Sequence, residues 1–193
     1  MKKNLICFIS CISLICFSCN ILSGYKELDR IDLNRIAKKC IEYNSTECIT
    51  SDSNYLIRLH KTTKDSLLFK DLYQPLQVHY FINSIRVSSL INCYIRPKGI
   101  NDLDWNENNR LSEFPPRNLL DREFNINLRD YLLLFGDKYY NNTVTDAICI
   151  VWTNFFPKKS DKLIKTIQNS LGQRQSKNIS VYLINIDLVY LKN

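Results

Sequence analysis

Ala147-Ile148-Cys149-Ile150-Val151-Trp152 is an unbroken apolar run, and a second, mostly apolar run extends from Ile179 to Leu191. Between them Leu163, Ile164, Ile167 and Leu171 recur at helical spacing. Ser160 stands where an N-cap belongs, Asp161 follows it in the first turn, and Gly172 is a helix stop. Strand 147–152, helix 160–171 and strand 179–187 therefore form a βαβ unit, with a crossover long enough for parallel strands and right-handed by rule. Strands this apolar are expected to be covered on both faces.

Working outward, Leu128, Leu132, Phe135 and Tyr139 fall on one helical face, interrupted by Gly136. Residues 97–118, with Pro97, Gly99, Pro115 and Pro116, have no periodicity and read as a long loop whose Trp105 either tucks back onto the core, the expected case, or offers a contact surface. Residues 54–96 read as strand-rich: Tyr55–His60, Ser66–Tyr73, Leu76–Ile82 and Ser88–Ile95, a spacing that favours an antiparallel meander. Residues 26–43 read as an amphipathic helix whose stripe is Leu33, Ile36, Ala37, Cys40 and Ile41, stopped by Asn44-Ser45-Thr46. The predicted class is α+β: a mixed sheet, antiparallel in its N-terminal part and parallel in its C-terminal βαβ unit, with helices packed on it. No repeat or boundary divides residues 26–193, so they read as a single domain.

The N-terminus carries different information. Lys2-Lys3 precede the apolar run Leu5–Phe17, and Cys16-Phe17-Ser18 sets small residues on both sides of a bulky one. That is the plan of a bacterial export signal over residues 1–18. The thirteen residues from Leu5 to Phe17 reach roughly 20 Å as a helix, too short to span a hydrocarbon core of ~30 Å. Cys16 to Cys19 resembles the lipobox of bacterial lipoproteins. The resemblance implies that Cys19 becomes the acylated (palmitate-bearing) first residue, that residues 19–25 form a tether, and that the protein sits at the cell envelope, anchored and facing the extracytoplasmic side. Ordinary secretion with cleavage after Ser18 satisfies the same small-x-small rule.

The chain has 26 Lys and Arg against 19 Asp and Glu. Loss of Lys2 and Lys3 with the signal leaves 24 and 19, a net +5 that suits an anionic membrane surface beside an anchor. No Lys/Arg-rich run or recognition motif points to nucleic acid. Cys40, Cys48, Cys93 and Cys149 remain for structure. None has C-x-x-C spacing; Cys93 and Cys149 sit in apolar runs as buried thiols, whereas Cys40 and Cys48 flank a polar turn and can pair.

In open α/β sheets ligands sit beyond the carboxyl ends of parallel strands. Here that corner offers Asn154, Lys158 and Ser160 after the first strand and Asp187 after the second. It reads two ways. Lysines at a helix N-terminus suit a small anion; alternatively Ser160 caps, the lysines are solvated, and Asp187 satisfies turn amides.

Ile150 to Pro157, the following helix, and Val181 to Asp187 resemble the central βαβ of thioredoxin-like proteins, over residues 128–187. The resemblance implies a related fold but not the chemistry, because Asn154 to Lys159 contains no cysteine and the chain stops before the family's closing hairpin and helix. Gly-rich phosphate loops, H-E-x-x-H and G-x-S-x-G are absent. A Cys93/His79 pair has the right residue types for a nucleophile and base, without local support. Paired carboxylates, Asp102 with Asp104 and Asp121 with Glu123, fall in loops. The expectation is a non-enzymatic envelope lipoprotein with a binding or accessory role toward a protein partner, with no cofactor and no metal. The alternative is a redox-inactive thioredoxin-like module that holds a small ligand near Asn154, Lys158 and Asp187.

Overall fold

The computed structural model describes residues 26–43, 45–91, 125–136, 144–172 and 179–192. The expected export signal, Cys19, Cys93, the segment 97–118 with Trp105, Tyr139 and both acidic pairs lie outside the described residues. The elements run α1 (Leu33–Glu42), β1 (Glu47–Thr50), α2 (Tyr55–Thr62), α3 (Ser66–Leu72), β2 (Gln77–Ile82), β3 (Ile85–Ile91), α4 (Leu128–Leu133), β4 (Ala147–Trp152), α5 (Pro157–Gly172) and β5 (Ser180–Asn185), then a 3₁₀ turn over Asp187–Tyr190.

The fold is α+β. One five-stranded sheet has the order β1-β5-β4-β2-β3. β4 lies at its centre, parallel to β5 and antiparallel to β2, and β1 extends the parallel half beyond β5. Every residue of β4 is buried, which is why its sequence lacks alternation. Ala147, Cys149 and Val151 face one core, and Ile148, Ile150 and Trp152 face the other. Helices α1 and α5 cover the second face; α2, α3 and α4 cover the first. Leu163, Ile164 and Ile167 of α5 are at most 1% exposed, and burying each contributes about 1.5–3 kcal/mol.

Several expectations are corrected. Tyr55–His60 is helical, because its inward residues are Tyr55 and Leu59 with Thr63 following, a spacing of four. Ser66–Leu72 is also helical, capped by Asp65, whose carboxylate accepts from the Leu67 amide at 2.8 Å. The meander reduces to one hairpin, β2–β3, turned by Asn83 and Ser84, both at positive φ. Such a turn favours glycine. Here it is held instead by its surroundings: the Ser84 amide donates to the Thr145 carbonyl, the Leu128 amide donates to the Ser84 carbonyl, and the Asn83 amide donates to Asp146 Oδ1. This antiparallel hairpin precedes the βαβ unit in the chain and pairs onto β4.

Strand β1 was not foreseen. The run from Ile179 divides: β5 ends at Asn185, and the chain coils into the 3₁₀ turn. The helix around Leu128 stops at Leu133, and Gly136 has a φ of 153°, a conformation open to glycine alone.

Helix α1 is shorter than expected and rotated. Asp32 caps it, accepting from the Arg35 amide at 3.0 Å. Ile36, Lys39 and Tyr43 face inward, while Leu33, Ala37 and Ile41 face outward, with Leu33 64% and Ile41 82% exposed. The inward lysine explains the rotation. Its ammonium pairs with Asp161 of α5 and lies 5.1 Å above the Trp152 ring and 5.6 Å from the Tyr43 ring. Gln168 of α5 donates to the Tyr43 carbonyl, so the two helices lie side by side. Cys40 and Cys48 are joined by a disulfide that ties α1 to β1. The two ends of the described chain also meet: Leu28 bridges Leu191, the Lys192 amide donates to the Leu28 carbonyl at 2.9 Å, and the Lys192 ammonium pairs with Glu27 at 2.9 Å.

Candidate functional site

The carboxyl ends of β4 and β5 bring Thr153, Asn154 and Asp187 together, each at most 3% exposed. Asp187 is the hub. Its Oδ1 accepts from the Thr153 hydroxyl at 2.7 Å and the Asn154 amide at 2.5 Å, and its Oδ2 accepts from Asn154 Nδ2 at 2.7 Å. Thr153 Oγ1 in turn accepts from the Phe155 amide at 3.0 Å, and the Asp187 amide donates to Asn185 Oδ1 at 3.1 Å. The register makes this possible: Trp152 pairs with Asn185, so the residues leaving the two strands emerge next to each other. A buried carboxylate needs donors, and charge-assisted bonds are the strong ones.

The four residues singled out from the sequence separate into two roles. Asn154 and Asp187 form this clasp and line a pocket of about 230 Å³, whose rim carries Lys26, Asp29, Arg30 and Arg35. Lys158 is exposed on α5 and does not line it. Ser160 is not an N-cap. The helix starts three residues earlier at Pro157, where the missing N–H costs nothing. Ser160 is fully buried within the first turn; its hydroxyl donates to the Thr153 carbonyl at 2.7 Å and accepts from the Thr153 amide at 3.3 Å. It fastens the helix to the end of β4. The rim mixes both charge signs, so it is not an anion cradle. Arg30 comes from the segment before α1 and Arg35 from the first turn of α1, which no signal near the βαβ unit announces.

A second polar cluster lies inside the sheet's other core. His79 of β2 is fully buried, accepts or donates at 2.8 Å with Gln77 Oε1, and stands opposite Cys149 in the β2–β4 register and Ser89 in the β2–β3 register. Its ring lies 4.7 Å from that of Tyr131. Burial, reinforced by the Arg86 guanidinium, holds the imidazole well below its ordinary pKa, and burial pushes the Cys149 thiol well above its own. A nucleophilic thiolate needs the opposite shift and an open approach. Among the described residues no group of three His, Cys, Asp or Glu side chains is placed to hold a metal ion, and no helix is long and apolar enough to cross a membrane.

No protein-family model, curated protein or solved structure matches this chain.

Proposed function

We propose that this chain is an exported, lipid-anchored protein of the cell envelope whose role is to bind rather than to catalyse. The Cys40–Cys48 disulfide carries the reading. Such bridges persist in oxidising compartments and are rare in the cytosol. The basic start, apolar run and small-x-small site ending at Cys19 supply the matching address. The non-catalytic part of the reading draws on the strand-end corner, where the Asp187 carboxylate and the Ser160 hydroxyl are engaged within the protein; the binding part draws on the pocket beside it.

Mass spectrometry of the membrane-extracted protein tests the reading. The expected result is an N-terminal Cys19 carrying lipid mass, with Cys40 and Cys48 protected from alkylation until reductant is added. A mature form without lipid, or two freely alkylated thiols, refutes it. Cys19→Ser is expected to release the protein from the membrane.

A second reading, a redox-inactive thioredoxin-like module holding a small ligand, draws on the parallel β4–α5–β5 unit and the 230 Å³ pocket at its end. It predicts no thiol–disulfide reductase turnover, since Cys149 is buried with a raised pKa. Turnover abolished by Cys149→Ser overturns both readings.

A further inference from the structure

The net charge of residues 19–193 is not spread over the molecule. Helix α1 contributes Arg35, Lys38 and Lys39 against Glu42; α5 contributes Lys158, Lys159, Lys162 and Lys165 against Asp161. Together that is seven basic and two acidic side chains, a net +5, which equals the whole excess of 24 over 19; the remainder of the chain balances at seventeen of each. These two helices cover the same face of the sheet and lie side by side through the Lys39–Asp161 pair and the Gln168–Tyr43 hydrogen bond. Lys39 is buried, and its partner Asp161, 37% exposed, has its charge offset by that pair. Lys38, Lys158, Lys162 and Lys165 are exposed, and the facing acid is Glu42.

The same surface carries the outward apolar stripe of α1. Leu33, Ala37 and Ile41 recur every four residues and are exposed, two of them by 64% and 82%. An apolar stripe flanked by lysines is the pattern of helices that lie in a lipid interface, where each basic side chain near an anionic surface contributes on the order of 1 kcal/mol. The stripe begins fourteen residues after Cys19, so a chain anchored there keeps this face within a tether of at most roughly 50 Å. We propose that the outer face of α1 and α5 docks on an anionic lipid surface, with Leu33 and Ile41 entering the headgroup boundary and the lysines of both helices meeting the headgroup charge. The opposite layer, α2 to α4, then faces away from the membrane. The orientation rests on the lipid-anchor reading; the affinity of the face for lipid does not.

The test uses the chain from residue 19 onward with Cys19→Ser, which retains every described element and carries no lipid. It is sedimented with vesicles of phosphatidylcholine alone or phosphatidylcholine mixed with phosphatidylglycerol. Binding is expected to the anionic vesicles, weakening as salt is raised. Lys38→Glu/Lys158→Glu/Lys165→Glu should weaken it on the order of a hundredfold. Lys61→Glu/Lys64→Glu/Lys70→Glu makes the same charge change among exposed residues of the α2–α3 side and should leave most of the binding intact. Ile41→Ser, at an exposed position, should weaken binding without changing the unfolding midpoint. Equal losses in the two triple variants, equal binding to neutral vesicles, no binding, or binding to nucleic acid in place of vesicles overturns the proposal. The anchor is scored separately by the mass of Cys19: vesicle binding without lipid on Cys19 removes the anchor and leaves the face, and lipid without vesicle binding does the reverse.

Discussion

Asp187→Ala removes the hub of the strand-end corner. Three donors lose their acceptor: the Thr153 hydroxyl, the Asn154 backbone amide and the Asn154 side-chain amide. All belong to residues at most 3% exposed. An unsatisfied buried donor costs about 1–3 kcal/mol, so even the low end of that range for each gives a loss of about 3 kcal/mol, and the neighbouring pocket, which admits water, argues against the high end. That is a large part of a typical domain stability of about 5–15 kcal/mol. Asp187→Asn behaves differently. One carbonyl oxygen can still accept from Thr153 and from the Asn154 amide, while the new NH₂ faces the NH₂ of Asn154. Asn154 Oδ1 is buried and without a hydrogen-bond partner, so turning its amide over presents an acceptor to the new donor. The expected cost is then about 1–2 kcal/mol, the difference between charge-assisted and neutral bonds. Urea denaturation of the two variants measures both, with an unchanged m-value required for the comparison. An alanine variant that loses less than ~1 kcal/mol, or an asparagine variant that loses as much as the alanine, refutes the assignment of Asp187 as a structural clasp.

Three further outcomes are expected. Ile167 sits mid-helix at 1% exposure, so Ile167→Ala should cost about 2–5 kcal/mol in the same assay. Cys40→Ser with Cys48→Ser opens a bridge between residues eight apart, and loop-closure entropy puts the loss at about 2–3 kcal/mol; midpoints measured with and without reductant check it. His79 has a pKa lowered first by burial and then by Arg86, with Tyr131 of α4, Cys149 of β4 and Ser89 of β3 also against it. A depressed folded pKa means that its stabilising contribution is complete above the unfolded value near 6.5 and is lost as pH falls below it, at up to about 1.4 kcal/mol per pH unit. Stability measured from pH 8 to pH 5 should show that slope, and His79→Gln should flatten it.

The parts of the fold legible in the sequence were those where one signal dominated. Ala147–Trp152 is apolar throughout because both of its faces are covered, and Leu163, Ile164 and Ile167 keep helical spacing because one core receives them. Tyr55–His60 misled because its aromatic and aliphatic residues suit a strand by type, whereas Tyr55, Leu59 and Thr63 are spaced for a helix; Asp65 ahead of Ser66 was an N-cap signal of the same kind. β1 has four residues, too few for a pattern, and exists because β5 offers it a parallel edge. The rotation of α1 depends on Lys39 reaching Asp161, 122 residues away. Asn154 and Asp187 were visible as polar residues at strand ends, but the clasp needs Trp152 and Asn185 in register, a tertiary fact.

The meeting of residues 28 and 191 makes the fold a candidate for circular permutation. Their bridge and the Lys192–Glu27 pair already hold the two ends at one corner, so a short Gly/Ser linker can close them there with little added loop entropy. New ends opened at exposed Lys64, between α2 and α3, would leave all five strands contiguous in the sheet. In such a chain β1 and α1 follow β5 in sequence. The natural chain brings β1 to β5 across nearly its whole described length, whereas the permutant joins them through α1 alone, so a permutant that refolds faster would show that this pairing limits folding.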